Sequence, residues 1–203
     1  MAHIIKKYKM HFLLDFHYSD YWADPGQQNK PDAWKNLSFD ELKEAVHKYT
    51  YDVLYRLKIM DCAPDMVQIG NEIRSGMLFP DGAVPQYRQL AALVNEGIRA
   101  VRELLPETKV MIHLDQGGRY NCIMPWFDSM FNAGMLPIDA IGLSFYSFWH
   151  GTFMDLKDTM SRLIKLYNLP VYIVETAHPW RHCKGDHIPK ELCLLYTSPS
   201  PRD

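Results

Sequence analysis

Short β-branched or apolar runs alternate with amphipathic helical stretches along most of this chain, and that alternation restricts its fold more than any other feature. Strand-like runs fall at Lys9 to Phe16, Met66 to Gly70, Lys109 to Leu114, Ala140 to Phe145 and Val171 to Val174. Between them, Leu42, Val46, Tyr49, Val53 and Leu57 recur at helical spacing, and Ser38 with Glu41 forms a capping-box signature ahead of them. Tyr87, Leu90, Val94, Ile98, Val101 and Leu105 mark a second helix, stopped by Pro106. Trp126, Phe127 and Met130 mark a shorter third, ending near Gly134, and Leu156, Met160, Leu163 and Tyr167 a fourth. Strands alternating with helices predict a parallel sheet with βαβ crossovers, hence an α/β barrel or a doubly wound sheet.

The strand ends favour the barrel. Four of the five runs stop in polar or aromatic clusters: Asp15-Phe16-His17-Tyr18-Ser19-Asp20, Asn71-Glu72, His113-Leu114-Asp115 and Glu175-Thr176-Ala177-His178. In a barrel all these ends open onto one face, so the clusters converge. A doubly wound sheet would spread them along an edge and calls for a nucleotide loop at its switch point. No GxGxxG or GxxxxGK[ST] motif is present, and Gly117-Gly118 is too short to cradle phosphate. Two of the runs end in glutamates, Glu72 and Glu175, which a barrel could face across one pocket. Paired carboxyls suit acid/base and nucleophilic attack on a glycosidic bond.

Length sets a second bound. The chain has 203 residues, whereas a closed (β/α)8 barrel typically needs about 250. Five βα units therefore predict a partial TIM barrel, an internal fragment spanning residues 1–192, with the residues before Lys9 as the end of the helix that feeds the first visible strand. Leu194 to Asp203 carries no helical or strand period, and its Ser/Pro alternation reads as translated adapter sequence or a flexible tail; residues 193–203 are expected to lie outside the folded domain. Hydrophobic content of 47% with 23% charged residues excludes disordered and fibrous classes. A formal net charge of -2, with no Lys/Arg cluster, gives no attraction to nucleic acid or anionic membranes. No run of 18 apolar residues exists, so no membrane-spanning segment is expected. The residues after Met1 lack the apolar core of a signal peptide. Cys62, Cys122, Cys183 and Cys193 show neither a CxxC pair nor zinc-type spacing and read as buried or incidental thiols.

Four motifs carry a family resemblance. Leu14-Asp15-Phe16-His17-Tyr18-Ser19-Asp20-Tyr21-Trp22-Ala23-Asp24-Pro25-Gly26-Gln27-Gln28, Gln68-Ile69-Gly70-Asn71-Glu72-Ile73, Ile141-Gly142-Leu143-Ser144-Phe145-Tyr146-Ser147-Phe148-Trp149-His150-Gly151 and Ile173-Val174-Glu175-Thr176-Ala177-His178-Pro179-Trp180 occur in that order. Together they resemble the endo-β-1,4-galactanases of glycoside hydrolase family 53, in clan A, from about residue 10 to 190. The resemblance implies strands three to seven of the barrel, with strands one, two and eight lacking a counterpart. It implies retaining endo-hydrolysis of β-1,4-galactan in type I arabinogalactan, with Glu72 as acid/base and Glu175 as nucleophile. The alternatives are another clan A glycosidase, such as a mannanase or β-galactosidase, or an inactive truncated barrel that binds sugar weakly at most.

By the same resemblance Asn71 bonds the sugar 2-hydroxyl, with a turn-forming role as the alternative, and Tyr146 orients the nucleophile or packs at the rim. Asp15 and His17 bond sugar hydroxyls, or His17 is a satisfied core histidine. Trp22, Trp149 and Trp180 stack on pyranose faces or belong to the core. His113, Asp115 and His150 complete the candidate substrate-binding set. His113 and Asp115, with His17, His150 and His178, also raise a metal-dependent hydrolase, but the paired HxH expected on a first strand is missing, so no metal is expected. No cofactor is implied; the calcium of some family members finds no support in these residues. Galactan is the expected partner, the full-length protein is expected to be a monomer, and the family implies secretion or a cell-surface location. Where the family commonly has Tyr and Pro, this chain has His178 and Ser147.

Overall fold

The computed structural model describes residues 1–177. His178, Trp180, Cys183, Cys193 and the segment 193–203 lie outside the described residues. In chain order the elements are α1 (Ala2–Lys7), β1 (Leu13–Phe16), α2 (Phe39–Ile59), β2 (Met66–Ile69), β3 (Gly76–Met77), β4 (Gly82–Ala83), α3 (Tyr87–Leu104), β5 (Lys109–Leu114), α4 (Tyr120–Asn132), β6 (Ala140–Phe145), α5 (Ser147–His150), α6 (Phe153–Tyr167) and β7 (Val171–Thr176).

Strands β1, β2, β5, β6 and β7 form one parallel sheet in that spatial order, and β3 pairs with β4 in a small antiparallel hairpin. The spatial order never reverses along the chain. A doubly wound sheet must reverse at its switch point, so this winding is that of a barrel wall. All five strands run the same way and their C-terminal ends share one face.

The helices form where the periodicity places them. Ser38 caps α2 by accepting from the Glu41 N–H, while the Glu41 carboxylate takes the Ser38 N–H in return. Thr152 and Asp155 repeat the arrangement at α6. Helix α3 buries Leu90, Leu93, Val94, Ile98 and Val101 against α2 and the sheet. Each such side chain contributes about 1.5–3 kcal/mol when taken fully out of water. Strands β5 and β6 carry the centre of the core: every residue of β6 is buried, as is every residue of β5 except Lys109. Strand β7 has no fully buried residue, and Leu13 of β1 and Tyr172 of β7 are 40% and 42% exposed. Among the described residues, each of these edge strands has one unpaired side.

Several sequence expectations change in detail. The first strand begins at Leu13 rather than Lys9, because Asp65 binds the Phe12 N–H at 2.7 Å and Lys6 at 3.3 Å, fixing the preceding residues as a connection. The last strand continues past Val174 to Thr176. The β3–β4 hairpin and the four-residue α5 are too short to show a period.

Candidate active site

Glu72 stands in a sharp turn at the end of β2. Gly70 has φ +79°, and a Cβ there would lie 2.6 Å from Ile73 Cγ2. Glu72 itself takes the left-handed conformation, φ 49° and ψ 45°, which costs a non-glycine residue of order 1 kcal/mol or more. The turn is held from several sides. Gln28 donates from Nε2 to the Asn71 carbonyl at 2.8 Å, and Asn71 donates from Nδ2 to the Ala23 carbonyl at 2.9 Å. Arg74 grips Asp115 with two bonds, Nε to Oδ1 at 2.7 Å and Nη2 to Oδ2 at 3.0 Å, joining the turn to the end of β5.

Glu175 reaches the same face through a register slip. Leu143 pairs with Ile173, but the next pair is Ser144 with Glu175, so one extra residue, Val174, bulges out of β7. Regular pairing would set Val174 level with Ser144 and turn the glutamate to the opposite face, since side chains alternate along a strand. The bulge thus delivers Glu175 to the face that Ser144 occupies. Tyr146 donates from its hydroxyl to Glu175 Oε2 at 3.0 Å. One donor atom each from Glu72, His113 and Glu175 lie within 4.8 Å of one another, so the two carboxyl groups face each other closely.

Their surroundings set proton affinities. The Glu72 carboxyl is pushed up to about 7, first by burial, then by the negative charges of Glu175, Asp115 and Asp24; the nearby Ser144 hydroxyl opposes this only where it donates to the carboxylate. Tyr146 is pushed up to about 12 by burial and its bond to Glu175, so it stays a hydroxyl. His113 is lowered to about 3 by burial and is neutral. His17 is raised, chiefly by its hydrogen bond to Asp15.

The sequence-expected residues divide into two sets. Trp22, Glu72, Asp115, Tyr146, Trp149, His150 and Glu175 line one cleft of about 520 Å³, together with Asp24, Pro25, Arg74 and Gln116. Trp22 and Trp149 are 76% and 54% exposed at its rim rather than in the core. Behind the cleft, the remaining polar residues bind one another. Asp15 bonds His17 Nε2 at 2.9 Å, while His17 Nδ1 accepts the Ala23 N–H at 3.0 Å. His17 therefore anchors the loop carrying Trp22. His113 is fully buried, with Nδ1 on Asn71 Oδ1 and Nε2 on Ser144 Oγ, both at 2.8 Å, so it supports its neighbours and does not open on the cleft. The ring of His150, which lines the cleft from α5, turns back on β6, Nδ1 lying 3.0 Å from the Ser144 carbonyl.

Of the five residues of the alternative metal arrangement, His17, His113, Asp115 and His150 engage protein partners, and His178 lies outside the described residues. Gln28, Gln68, Arg74 and Ser144 were not singled out from the sequence. Gln68 and Ser144 had a signal, a lone polar residue inside an otherwise apolar strand. A larger cavity, about 820 Å³, opens at the opposite, N-terminal ends of the strands. It is lined by Phe12, Leu13, Met66, Met111 and Ile173, among others, and its Asp65 is already bound by Phe12 and Lys6.

A parallel barrel wall whose strand ends bring two glutamates together in an aromatic-rimmed cleft has the architecture of barrel glycosidases. The profile of glycosyl hydrolase family 53 matches residues 1–194, and the chain belongs to that family. It is 48% identical over 188 residues to a Niallia circulans protein described as "uncharacterized protein in bgaB 5′ region", covering 89% of this chain and 51% of that one. It is 36% identical over 181 residues to the arabinogalactan endo-β-1,4-galactanase of Cellvibrio japonicus, covering 84% of this chain and 47% of the relative. The solved structure of the Ignisphaera aggregans GH53 catalytic domain superposes with a TM-score of 0.86 at 40% identity, over 95% of this chain and 53% of that one. The fold is accordingly part of a (β/α)8 barrel, and the chain spans about half the length of the curated relatives it matches.

Proposed function

We propose that the protein to which this chain corresponds hydrolyses β-1,4-galactosidic bonds within galactan and type I arabinogalactan, with retention at the anomeric carbon. The observation that carries this reading is the facing pair Glu72 and Glu175. Donor atoms within 4.8 Å suit the retaining separation of about 5–5.5 Å and not the roughly 6.5–9.5 Å that leaves room for an inverting water. The names of the relatives supply the substrate class.

In the first step a Glu175 oxygen attacks the galactosyl anomeric carbon while Glu72 gives its proton to the glycosidic oxygen. The carbon–oxygen bond breaks, the shortened chain leaves as an alcohol, and a galactosyl ester remains on Glu175. In the second, Glu72, now a carboxylate, takes a proton from water as that water attacks the same carbon, freeing Glu175. Tyr146 holds Glu175 Oε2 in place, and Trp22 and Trp149 offer ring faces to the C–H faces of pyranoses at the cleft rim.

The test is galactan hydrolysis by the protein extended to full family length, beside Glu72→Gln and Glu175→Gln variants. Loss of at least about a thousandfold in each is expected for removal of a group bonded to the reacting centre. Full activity in Glu175→Gln, or a preference for mannan over galactan, overturns the reading.

A further inference from the structure

Arg74 and Asp115 line the same cleft as the two glutamates, yet neither takes part in the proton and ester steps. Asp115 is the base on which Arg74 is set. Its side chain is 5% exposed, and its two oxygens already take three donors: Arg74 Nε at 2.7 Å, Arg74 Nη2 at 3.0 Å and Gln116 Nε2 at 3.2 Å. Two parallel bonds to one carboxylate fix the plane of the guanidinium as well as its position. The Arg74 side chain is 36% exposed, and only two of the five guanidinium N–H groups are spent on Asp115. Among the described residues the other three have no protein acceptor. A rigid fork thus keeps unspent donors in a cleft whose proposed substrate is a hydroxyl-rich polymer.

Charge suits the pair to a neutral polymer. An uncompensated cation near Glu72 would favour its ionised form and discharge the acid; paired with Asp115, Arg74 supplies donors without that effect. Arg74 lies on the short turn Ile73–Ser75, two residues past Glu72, and Asp115 ends β5, the strand beside β2. Glu175 lies on β7, with β6 between it and β5. Glu72 gives its proton to the departing oxygen, so the groups flanking Glu72 meet the departing sugar rather than the one held by Glu175. We infer that Arg74 is a substrate-binding residue that donates from its remaining guanidinium N–H groups to hydroxyl oxygens of the galactosyl unit on the leaving side of the scissile bond, with Asp115 as the positioning residue that holds the fork. This rests on the galactanase reading and adds a source of specificity: a leaving group without hydroxyls gains nothing from Arg74.

The test compares galactan cleavage with phenol release from phenyl β-galactobioside by the protein extended to full family length. Both leaving groups draw on the Glu72 proton, which a loss on both substrates in Glu72→Gln verifies, but only that of galactan carries sugar hydroxyls. Arg74→Lys keeps the positive charge and gives up the planar fork. Its kcat/KM on galactan is expected to fall at least about tenfold, the worth of one charge-assisted hydrogen bond, while phenol release stays within about twofold of the parent. Arg74→Gln combined with Asp115→Asn, which leaves no unpaired charge, is expected to show the same split. Equal losses on the two substrates mean that Arg74 acts through the Glu72 turn, and an undiminished rate on galactan means that it meets no sugar; either result overturns the inference. A parent protein inert on galactan overturns the galactanase reading instead, so the two failures are told apart.

Discussion

Glu72 holds its proton near neutrality because the folded protein disfavours its charge, and two consequences follow at the scale of that residue. In the proposed mechanism it is the proton donor and must be protonated in the free enzyme, so kcat/KM on galactan is expected to fall as pH rises through about 7. The same shift affects stability. Between the ordinary carboxylate range and about 7, the folded chain keeps a proton that the unfolded chain has released, so stability falls as pH rises through that window. Glu72→Gln removes the penalty and is expected to raise the melting temperature more at about pH 8 than at about pH 5; an equal gain at both contradicts the burial of this carboxyl. Across the cleft, Tyr146→Phe removes the donor on Glu175 Oε2. A roughly tenfold or greater fall in kcat is expected with KM little changed, because one charge-assisted bond is worth about 1.5–3 kcal/mol.

At the scale of elements, what could be read in advance depended on length. Strands β5 and β6, at Lys109–Leu114 and Ala140–Phe145, have the bounds that the apolar runs predict, since both are central and buried throughout their inner length. The edges were less legible: β1 is shortened by Asp65 capturing Phe12, a contact made across 53 positions of chain. Glu72 and Glu175 were visible as carboxylates ending apolar runs. The devices that aim them were not. The bulge at Val174 depends on pairing with β6, and the polar chain from Asp15 through Gln68, Asn71 and His113 to Ser144 joins four strands and the turn after β2. His113 illustrates the loss: a histidine at a strand end reads as a ligand, and only burial of both ring nitrogens against protein partners shows that it faces inward. Gly70 supports the Glu72 turn in the opposite way, by what it lacks. Gly70→Ala is expected to cost about 1–3 kcal/mol in denaturant unfolding and to reduce activity beyond that loss, because a Cβ must displace Ile73 beside the acid. A neutral effect contradicts the close approach at that turn.

For the whole molecule, the described sheet is one arc of a barrel. Its centre is packed as a barrel interior is, while β1 and β7 leave inner side chains such as Leu13 and Tyr172 partly in water. The 203-residue chain alone is accordingly expected to bind a hydrophobic dye and to cleave galactan far more slowly than the chain extended to family length; equal activity contradicts the need for a closed wall behind Glu175. The account turns on one geometric claim, that Glu72 and Glu175 stand close enough for direct attack on the sugar. The most direct test is the anomeric configuration of the first reducing ends released from galactan by the extended protein, followed by proton NMR before mutarotation. The β-anomer is predicted. Release of the α-anomer would mean that a water attacks in place of Glu175, and would contradict the assignment of the pair.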